Sequence, residues 1–128
     1  MEKSESKSSN RATPKIFESE YRMCLILWES EPLKAADLAR LCNARLGWSR
    51  TTTYTVIHRL EERGILQVKD SVVSSLVSKE QAQRAEMDEL LEKTFEGSIP
   101  AFMAAFVGNR TLSEKELREI RRLLDEAD

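Results

Sequence analysis

Cysteine and histidine are scarce in this chain of 128 residues, which has two cysteines and one histidine. Cys24 and Cys42 cannot form the disulfide framework of a small secreted domain, and no cysteine or histidine pair has the short spacing of a zinc or copper site. The single histidine, His58, has no predicted nucleophile beside it, and no paired carboxylates line a recognisable cleft. We therefore predict no metal site, no cofactor and no enzymatic activity, and we expect both thiols to be reduced core residues.

Long hydrophobic runs are also missing. The longest uncharged segment is too short to span a bilayer, and residues 1–10 are charged and rich in serine without an apolar stretch. The sequence thus predicts neither a membrane anchor nor a secretory signal, and it favours a cytoplasmic protein. A chain of this length can bury one modest core with an appendage, but not two enzyme-sized domains.

Carboxylates are missing from one long segment. None of the 23 residues from Leu38 to Leu60 is acidic, although Asp and Glu outnumber Lys and Arg in the whole chain by 22 to 20. There are 12 basic and 10 acidic residues up to residue 70, against 8 and 12 beyond it. This pattern indicates a small basic surface on an acidic protein, suited to phosphates and base edges. A chance fluctuation of charge along the chain is the alternative.

Apolar periodicity predicts three helices before residue 65. The first begins with Ser19 as its N-cap, the second ends at Gly47, and the third begins with Ser49 as its N-cap and ends at Gly64. Two short β-prone runs separated by a tight turn follow. Three helices and a hairpin are the order of a winged helix-turn-helix, in which the third helix reads DNA.

After Ser78 the pattern is helical to the end, so the predicted fold is mainly α. The last three helices carry more apolar surface than a protomer of this size can cover, and a second copy of the chain is the usual solution. Folding back onto the first domain is the alternative. We predict a disordered arm over residues 1–15, a winged-helix DNA-binding domain over 16–77 and a helical dimerisation domain over 78–128. The residues assigned to dimerisation are Leu90, Leu91, Phe95, Ile99, Phe102, Met103, Phe106, Leu117, Ile120 and Leu124.

The third helix is expected to turn its polar side chains toward the major groove, because they lie opposite or beside its apolar face at about 3.6 residues per turn. Arg50 is the predicted base-reading residue, since an arginine fork discriminates guanine better than hydroxyls do; a solvated arginine near the cap is the alternative. Tyr54 either contacts DNA or packs against the second helix. Arg59 is expected to hold one phosphate, and the Ser49 hydroxyl with the free amides of the first turn another. The full set assigned to DNA binding is Lys34, Ser49, Arg50, Thr51, Thr52, Tyr54, Thr55, His58, Arg59 and Lys69.

Short motifs occur in one order along everything after residue 15: Leu27-Trp28, Gly47-Trp48-Ser49, Arg59-Leu60, Arg63-Gly64, Phe95-Glu96-Gly97-Ser98 and Leu112-Ser113-Glu114-Lys115-Glu116. No single tripeptide is specific, but the ordered set resembles the BlaI/MecI family of penicillinase and methicillin-resistance repressors, which also includes copper-responsive repressors. The resemblance implies a homodimeric transcriptional repressor, associated with antibiotic resistance, that binds a pseudo-palindromic operator in double-stranded DNA.

The chain departs from this family in three places. Its relatives have a longer hairpin, whereas here Lys69 to Ser75 complete it, so the wing is expected to add little phosphate binding. The β-lactam-responsive members are released from DNA by cleavage of an Asn-Phe bond. The matching pair here, Ala105-Phe106, would be the proteolytic control site and a regulatory protease the partner, but the apolar Ala105 differs from the cleaved residue. The copper-responsive members end in paired cysteines, which this chain lacks.

The alternative to a repressor is a winged-helix protein-interaction module with reduced or no DNA binding. The shortened wing is compatible with this reading. The acid-free segment opposes it, because a protein-binding surface has no general reason to exclude carboxylates while keeping arginines.

Overall fold

A computed structural model describes residues 13–108 and 110–127, which form six helices and a small antiparallel sheet. The mainly helical winged-helix fold followed by a helical region is thereby confirmed. Residues 1–12 of the predicted arm lie outside the described residues. In the described part no helix is long and apolar enough to cross a membrane. The elements are α1 (Glu18–Ser30), β1 (Leu33–Lys34), α2 (Ala35–Leu46), α3 (Arg50–Glu62), β2 (Leu66–Lys69), β3 (Val72–Ser75), α4 (Lys79–Phe95), α5 (Ile99–Gly108) and α6 (Glu114–Glu126).

The chain divides into two compact units, of which the first ends at Met87 and the second begins at Asp88. The division lies inside α4, beyond Val77, where the predicted DNA-binding domain ends.

The core of the first unit is built from one face of each of the first three helices and from the sheet. Its largest fully buried apolar side chains include Met23, Leu27, Leu38, Leu60 and Val73. Both cysteines are free and buried, as expected from their positions in the sequence. Burial raises the pKa of the Cys24 thiol to about 12 and also raises that of Cys42, so neither is a reactive thiolate at neutral pH.

The start of α1 differs from the prediction. The N-cap residue is Phe17 and not Ser19, and the helix begins at Glu18. Glu20 is the third residue of the helix, and its Oε1 accepts a hydrogen bond from the N–H of the N-cap residue Phe17 at 3.0 Å. The same carboxylate, only 2% exposed, accepts bonds of 2.8 Å from both terminal nitrogens of Arg63. A local cap pattern cannot show a partner that lies 43 residues away.

The predicted hairpin is present as β2 and β3, with Lys69 paired to Val72 across a two-residue turn. The sheet also contains β1, which the sequence analysis missed because a two-residue strand has no visible alternation. Its position beside β3 gives the strand order β1-β3-β2. The Glu31 carboxylate holds the end of β3, accepting bonds from the Ser75 N–H at 2.6 Å and the Ser75 hydroxyl at 2.8 Å.

The second unit, taken by itself, has no buried residue among those described. Its interior contacts are aromatic. Phe102 lies with its ring centroid 5.5 Å from that of Phe95 and 6.0 Å from that of Phe106, and the Arg110 guanidinium lies 4.4 Å from the Phe106 ring. Five large apolar side chains of this unit are exposed: Leu90, Ile99, Val107, Leu123 and Leu124.

Candidate nucleic-acid interface

Helix α3 begins and ends where its sequence predicts. The Ser49 hydroxyl accepts a hydrogen bond from the Thr52 N–H at 3.0 Å and donates one to the Thr52 hydroxyl at 2.9 Å, so the N-cap is confirmed. At the other end the chain turns at Gly64, whose φ of 78° is the left-handed conformation that glycine adopts without strain. The cap bond uses the Thr52 N–H and orders the first turn of the helix.

One face of α3 is buried and the other is open. The buried face consists of Thr53, Val56, Ile57 and Leu60. None of these four residues was assigned to DNA binding. The helix residues that were assigned to DNA binding are exposed, except Tyr54, which is partly buried. Five of the assigned residues line one shallow concave surface: Arg50, Thr51, Tyr54, Thr55 and His58. We call these five residues the reading surface.

Arg50 and Tyr54 are in direct contact within this surface. The Arg50 guanidinium carbon lies 5.5 Å from the centre of the Tyr54 ring, and its Nη2 lies 3.4 Å from the phenol oxygen. The Tyr54 ring also packs against the hydrophobic core. The packing of Tyr54 is thus present in the structure, and its contact with DNA remains a prediction.

The arginines of the acid-free segment have different surroundings. Among the described residues, Arg50 has no carboxylate within ion-pair distance, so its charge is not neutralised inside the protein. The other three each have one: Arg40 pairs with Asp37, Arg45 with Glu29 at 2.7 Å and Arg59 with Glu20 at 3.9 Å.

Arg59, the predicted phosphate ligand, is 53% exposed but directs Nη1 toward the buried Glu20 carboxylate. Hydrogen bonding to Arg63 is the main reason that the pKa of Glu20 lies below its usual range, and Arg59 adds to it. Part of the Arg59 charge is thus used inside the protein, and its phosphate contact remains a prediction. Glu20 was missed because nothing in its local sequence indicates that it folds beneath α3.

Lys34 and Lys69 lie outside α3, at the same level of the sheet on the two outer strands. Both pair with Val72 of the central strand, one from each side, and both are exposed. Asp70 follows Lys69 in the turn and opposes its charge, as the sequence suggested. His58, at the other end of the reading surface, has Nε2 3.4 Å from a Glu62 carboxylate oxygen. No cluster of three or more potential metal ligands occurs in the part of the chain that the structure describes.

The sequence model of the penicillinase repressor family matches residues 16–126, a range that covers most of each unit. Three relatives named methicillin resistance regulatory protein MecI come from Mammaliicoccus sciuri, Staphylococcus aureus strain N315 and Staphylococcus epidermidis. Each is 25% identical to this chain over 117 residues, which cover 88% of this chain and 95% of the relative. The similarity therefore extends over nearly the full length of both proteins.

Proposed function

This chain belongs to the penicillinase repressor family, a family of transcriptional repressors, and on that premise we propose that it binds a pseudo-palindromic DNA operator as a homodimer. The reading surface on α3 makes the sequence-specific contacts. Its relatives are named as regulators of methicillin resistance; we extend to this chain the regulatory role and not the target genes.

The observation that carries this proposal is the chemistry of the reading surface. It gathers an unneutralised arginine, two threonine hydroxyls, a phenol and an imidazole on the open face of one helix. These groups can donate to and accept from base edges in the major groove, and the width of that groove admits an α-helix. A carboxylate on this face would repel the phosphates, and the first turn of α3 contains none.

The wing has a smaller part in this proposal. Its turn is only two residues long, and its cation Lys69 is followed by the anion Asp70. Lys34 and Lys69 are proposed as peripheral phosphate contacts, each worth no more than one released counterion. Most of the affinity for DNA must then come from α3 and from the joining of two copies.

Dimerisation is assigned to the second unit. Leu123 and Leu124 are 57% and 63% exposed on α6, and Ile99 of α5 is 60% exposed. Apolar side chains of this size in a unit where no described residue is buried favour an interface with a second copy. The ten residues named above for dimerisation remain the proposed set.

Proteolytic control at Ala105-Phe106 also remains a proposal. The pair lies inside α5, and the Phe106 ring contacts the Phe102 ring and the Arg110 guanidinium. Because nicking is favoured at exposed loop tips rather than inside packed helices, a regulatory protease would have to unwind this part of α5 first.

DNA binding is tested with the full chain and duplexes selected from a random-sequence pool. The logarithm of the affinity should fall linearly with the logarithm of salt concentration, by about 0.9 for every phosphate neutralised. Arg50→Ala should lower the preference for the selected duplex over an unrelated one by about 1–3 kcal/mol. Arg22→Ala removes an exposed arginine on α1 that pairs with Glu18 and should leave that preference unchanged.

Equal, weak binding of the wild-type chain to every duplex would refute the operator-binding proposal. That result would instead favour the second candidate, a winged helix that binds a protein partner. The short wing and its Lys69-Asp70 charge pair are the features that favour this candidate.

A further inference from the structure

Arg50 occupies an unusual place for an arginine. It is the first residue of α3, where the positive end of the helix dipole disfavours a cation, and no acidic residue of the first turn offsets its charge. Among the described residues its specific contacts are with the Tyr54 ring and hydroxyl. The position of Arg50 at the start of the helix therefore lowers the stability of α3, and its charge remains available to a ligand.

Tyr54 is placed to hold this arginine. The two residues are four positions apart on one helix, where side chains are neighbours, and helical side chains lean toward the N-terminal end. The Tyr54 ring thus leans back over the turn that carries Arg50. The ring is only partly exposed and packs against the core, so it has little freedom of its own. Because the Tyr54 ring is held by the core and Arg50 is exposed, their contact restricts the movement of the Arg50 side chain and not that of the ring.

We propose that Tyr54 is a positioning residue for Arg50: it fixes the guanidinium against its ring so that the arginine's free donors meet a guanine edge in the major groove. This inference rests on the proposed operator binding. An arginine loses much rotamer freedom when it is ordered, and a side chain already ordered in the free protein loses less on binding. A cation–π contact engages the ring face and leaves guanidinium N–H groups for guanine O6 and N7.

The test compares four forms of the full chain: wild type, Tyr54→Leu, Arg50→Ala and the double variant. The measured quantity is the ratio of affinities for the selected duplex and for an unrelated duplex of equal length. Arg50→Ala should lower this ratio by about 5- to 150-fold. Tyr54→Leu should lower it by about two- to fivefold, the value of an exposed cation–π contact. The affinity ratio of the double variant should be no lower than that of Arg50→Ala, because the Tyr54 ring has no arginine to position once Arg50 is absent.

Two further measurements, with Tyr54→Phe and with a modified duplex, test the role of the ring face and of the guanine contact separately. Tyr54→Phe keeps the ring and loses only the long contact to the hydroxyl, so it should retain most of the preference. Replacing guanines of the selected duplex one at a time by 7-deazaguanine removes the N7 acceptor. One such replacement should weaken wild-type binding strongly and Arg50→Ala binding little. Tyr54→Leu should be intermediate at the same position.

Three results would contradict either the positioning role of Tyr54 or the operator binding on which it rests. If the losses of Arg50→Ala and Tyr54→Leu multiply in the double variant, Tyr54 acts independently of Arg50 and the inference is wrong. If Tyr54→Leu lowers only thermal stability and leaves the ratio unchanged, the contact merely stabilises α3 and the inference is again wrong. If the wild type has no preference at all, the operator-binding proposal itself fails. Should Tyr54→Leu not fold by circular dichroism, Tyr54→Met keeps apolar bulk against the core without an aromatic face and replaces it.

Discussion

A single buried carboxylate sets the position of α3 relative to α1. Glu20 is 2% exposed, and its two oxygens accept hydrogen bonds from the Phe17 N–H and from both terminal nitrogens of Arg63. A buried charge without such partners would cost several kcal/mol, so the site forms only when the start of α1 and the end of α3 meet. Arg63 also donates to the Lys15 carbonyl and lies 5.5 Å from the Phe17 ring, which fixes the segment before α1.

The Glu20 contact should make stability depend on acid. The pKa of Glu20 lies below its usual range in the folded protein, first because of the hydrogen bonds from Arg63. Its contribution is therefore complete above the unfolded pKa, near the model-peptide value of 4.5, and is lost as pH falls through the lower folded pKa. Glu20→Gln should lower the unfolding free energy by about 2 kcal/mol at pH 7 and by progressively less below pH 4.5.

Urea unfolding at several pH values measures this effect. Glu18→Gln is the matched control, since Glu18 lies two residues away, is exposed and pairs with Arg22 across one helical turn. It should change stability by less than about 0.5 kcal/mol at every pH. A Glu20→Gln deficit that stays constant into acid would show that the loss is one of packing and not of charge.

Among the elements, the turn of the wing places Ser71 in a backbone conformation that serine rarely adopts. Asp70 and Ser71 both have positive φ, 52° and 67°. A two-residue hairpin turn with two positive φ values is the type I′ arrangement, which prefers Asn-Gly or Asp-Gly, so Asp70 suits its position and Ser71 does not. The left-handed conformation costs a residue such as serine roughly 1–2 kcal/mol. The Ser71 carbonyl accepts a hydrogen bond from the N–H of Ala35, the first residue of α2, and this bond holds the turn in place.

Ser71→Gly should therefore stabilise the first unit. Relief of the left-handed strain outweighs the greater freedom of glycine in the unfolded chain, and the net gain should be about 0.5 kcal/mol. Thermal or urea unfolding measures it. Ser74→Gly, made three residues later in extended β3, should instead destabilise, because it loses the bond from Gln67 and gains only chain freedom. Equal effects of the two glycines would contradict this account.

The elements that the sequence predicted well are those specified by neighbouring residues. Helix α3 has its hydroxyl cap at Ser49 and its glycine at Gly64, and both ends were found from these signals. The start of α1 was misplaced because Glu20 is held by Arg63, far along the chain. The exposed face of α3 was predicted by periodicity. The contact of Arg50 with Tyr54 was not, since spacing shows only that two side chains are neighbours, not how they meet.

For the whole molecule, charge and apolar surface are divided between different parts. The chain as a whole has a net charge of −2, so it has no general attraction for a polyanion. The reading surface instead carries one arginine, Arg50, that has no acidic partner among the described residues, so the available positive charge is local. In the proposed function, a reading surface of this size would make few contacts with DNA, and a two-fold operator bound by two copies would double them.

Doubling the number of DNA contacts requires a dimer, which we propose to form through α6. Leu124→Glu tests this assignment. Leu124 is 63% exposed in the protomer, so the substitution disturbs no internal packing. In a dimer interface it would bury an unpaired carboxylate at a cost of several kcal/mol. Sedimentation should give twice the protomer mass of 14.7 kDa for the wild type and the protomer mass for Leu124→Glu. Phe102→Glu should also give monomers, but Phe102 contacts two rings of its own unit, which makes it the less clean test.

Arg118→Gln is the control for charge, because it changes the net charge by the same amount at a position about 120° away from Leu124 around α6, at about 100° per residue. It should leave the dimer intact. The monomeric Leu124→Glu variant keeps α3 unchanged, so it should still prefer its half-site while losing the added affinity of the second copy. A Leu124→Glu protein that sediments as a dimer would remove α6 from the interface, and a monomer that binds the full operator as tightly as the wild type would show that one copy suffices.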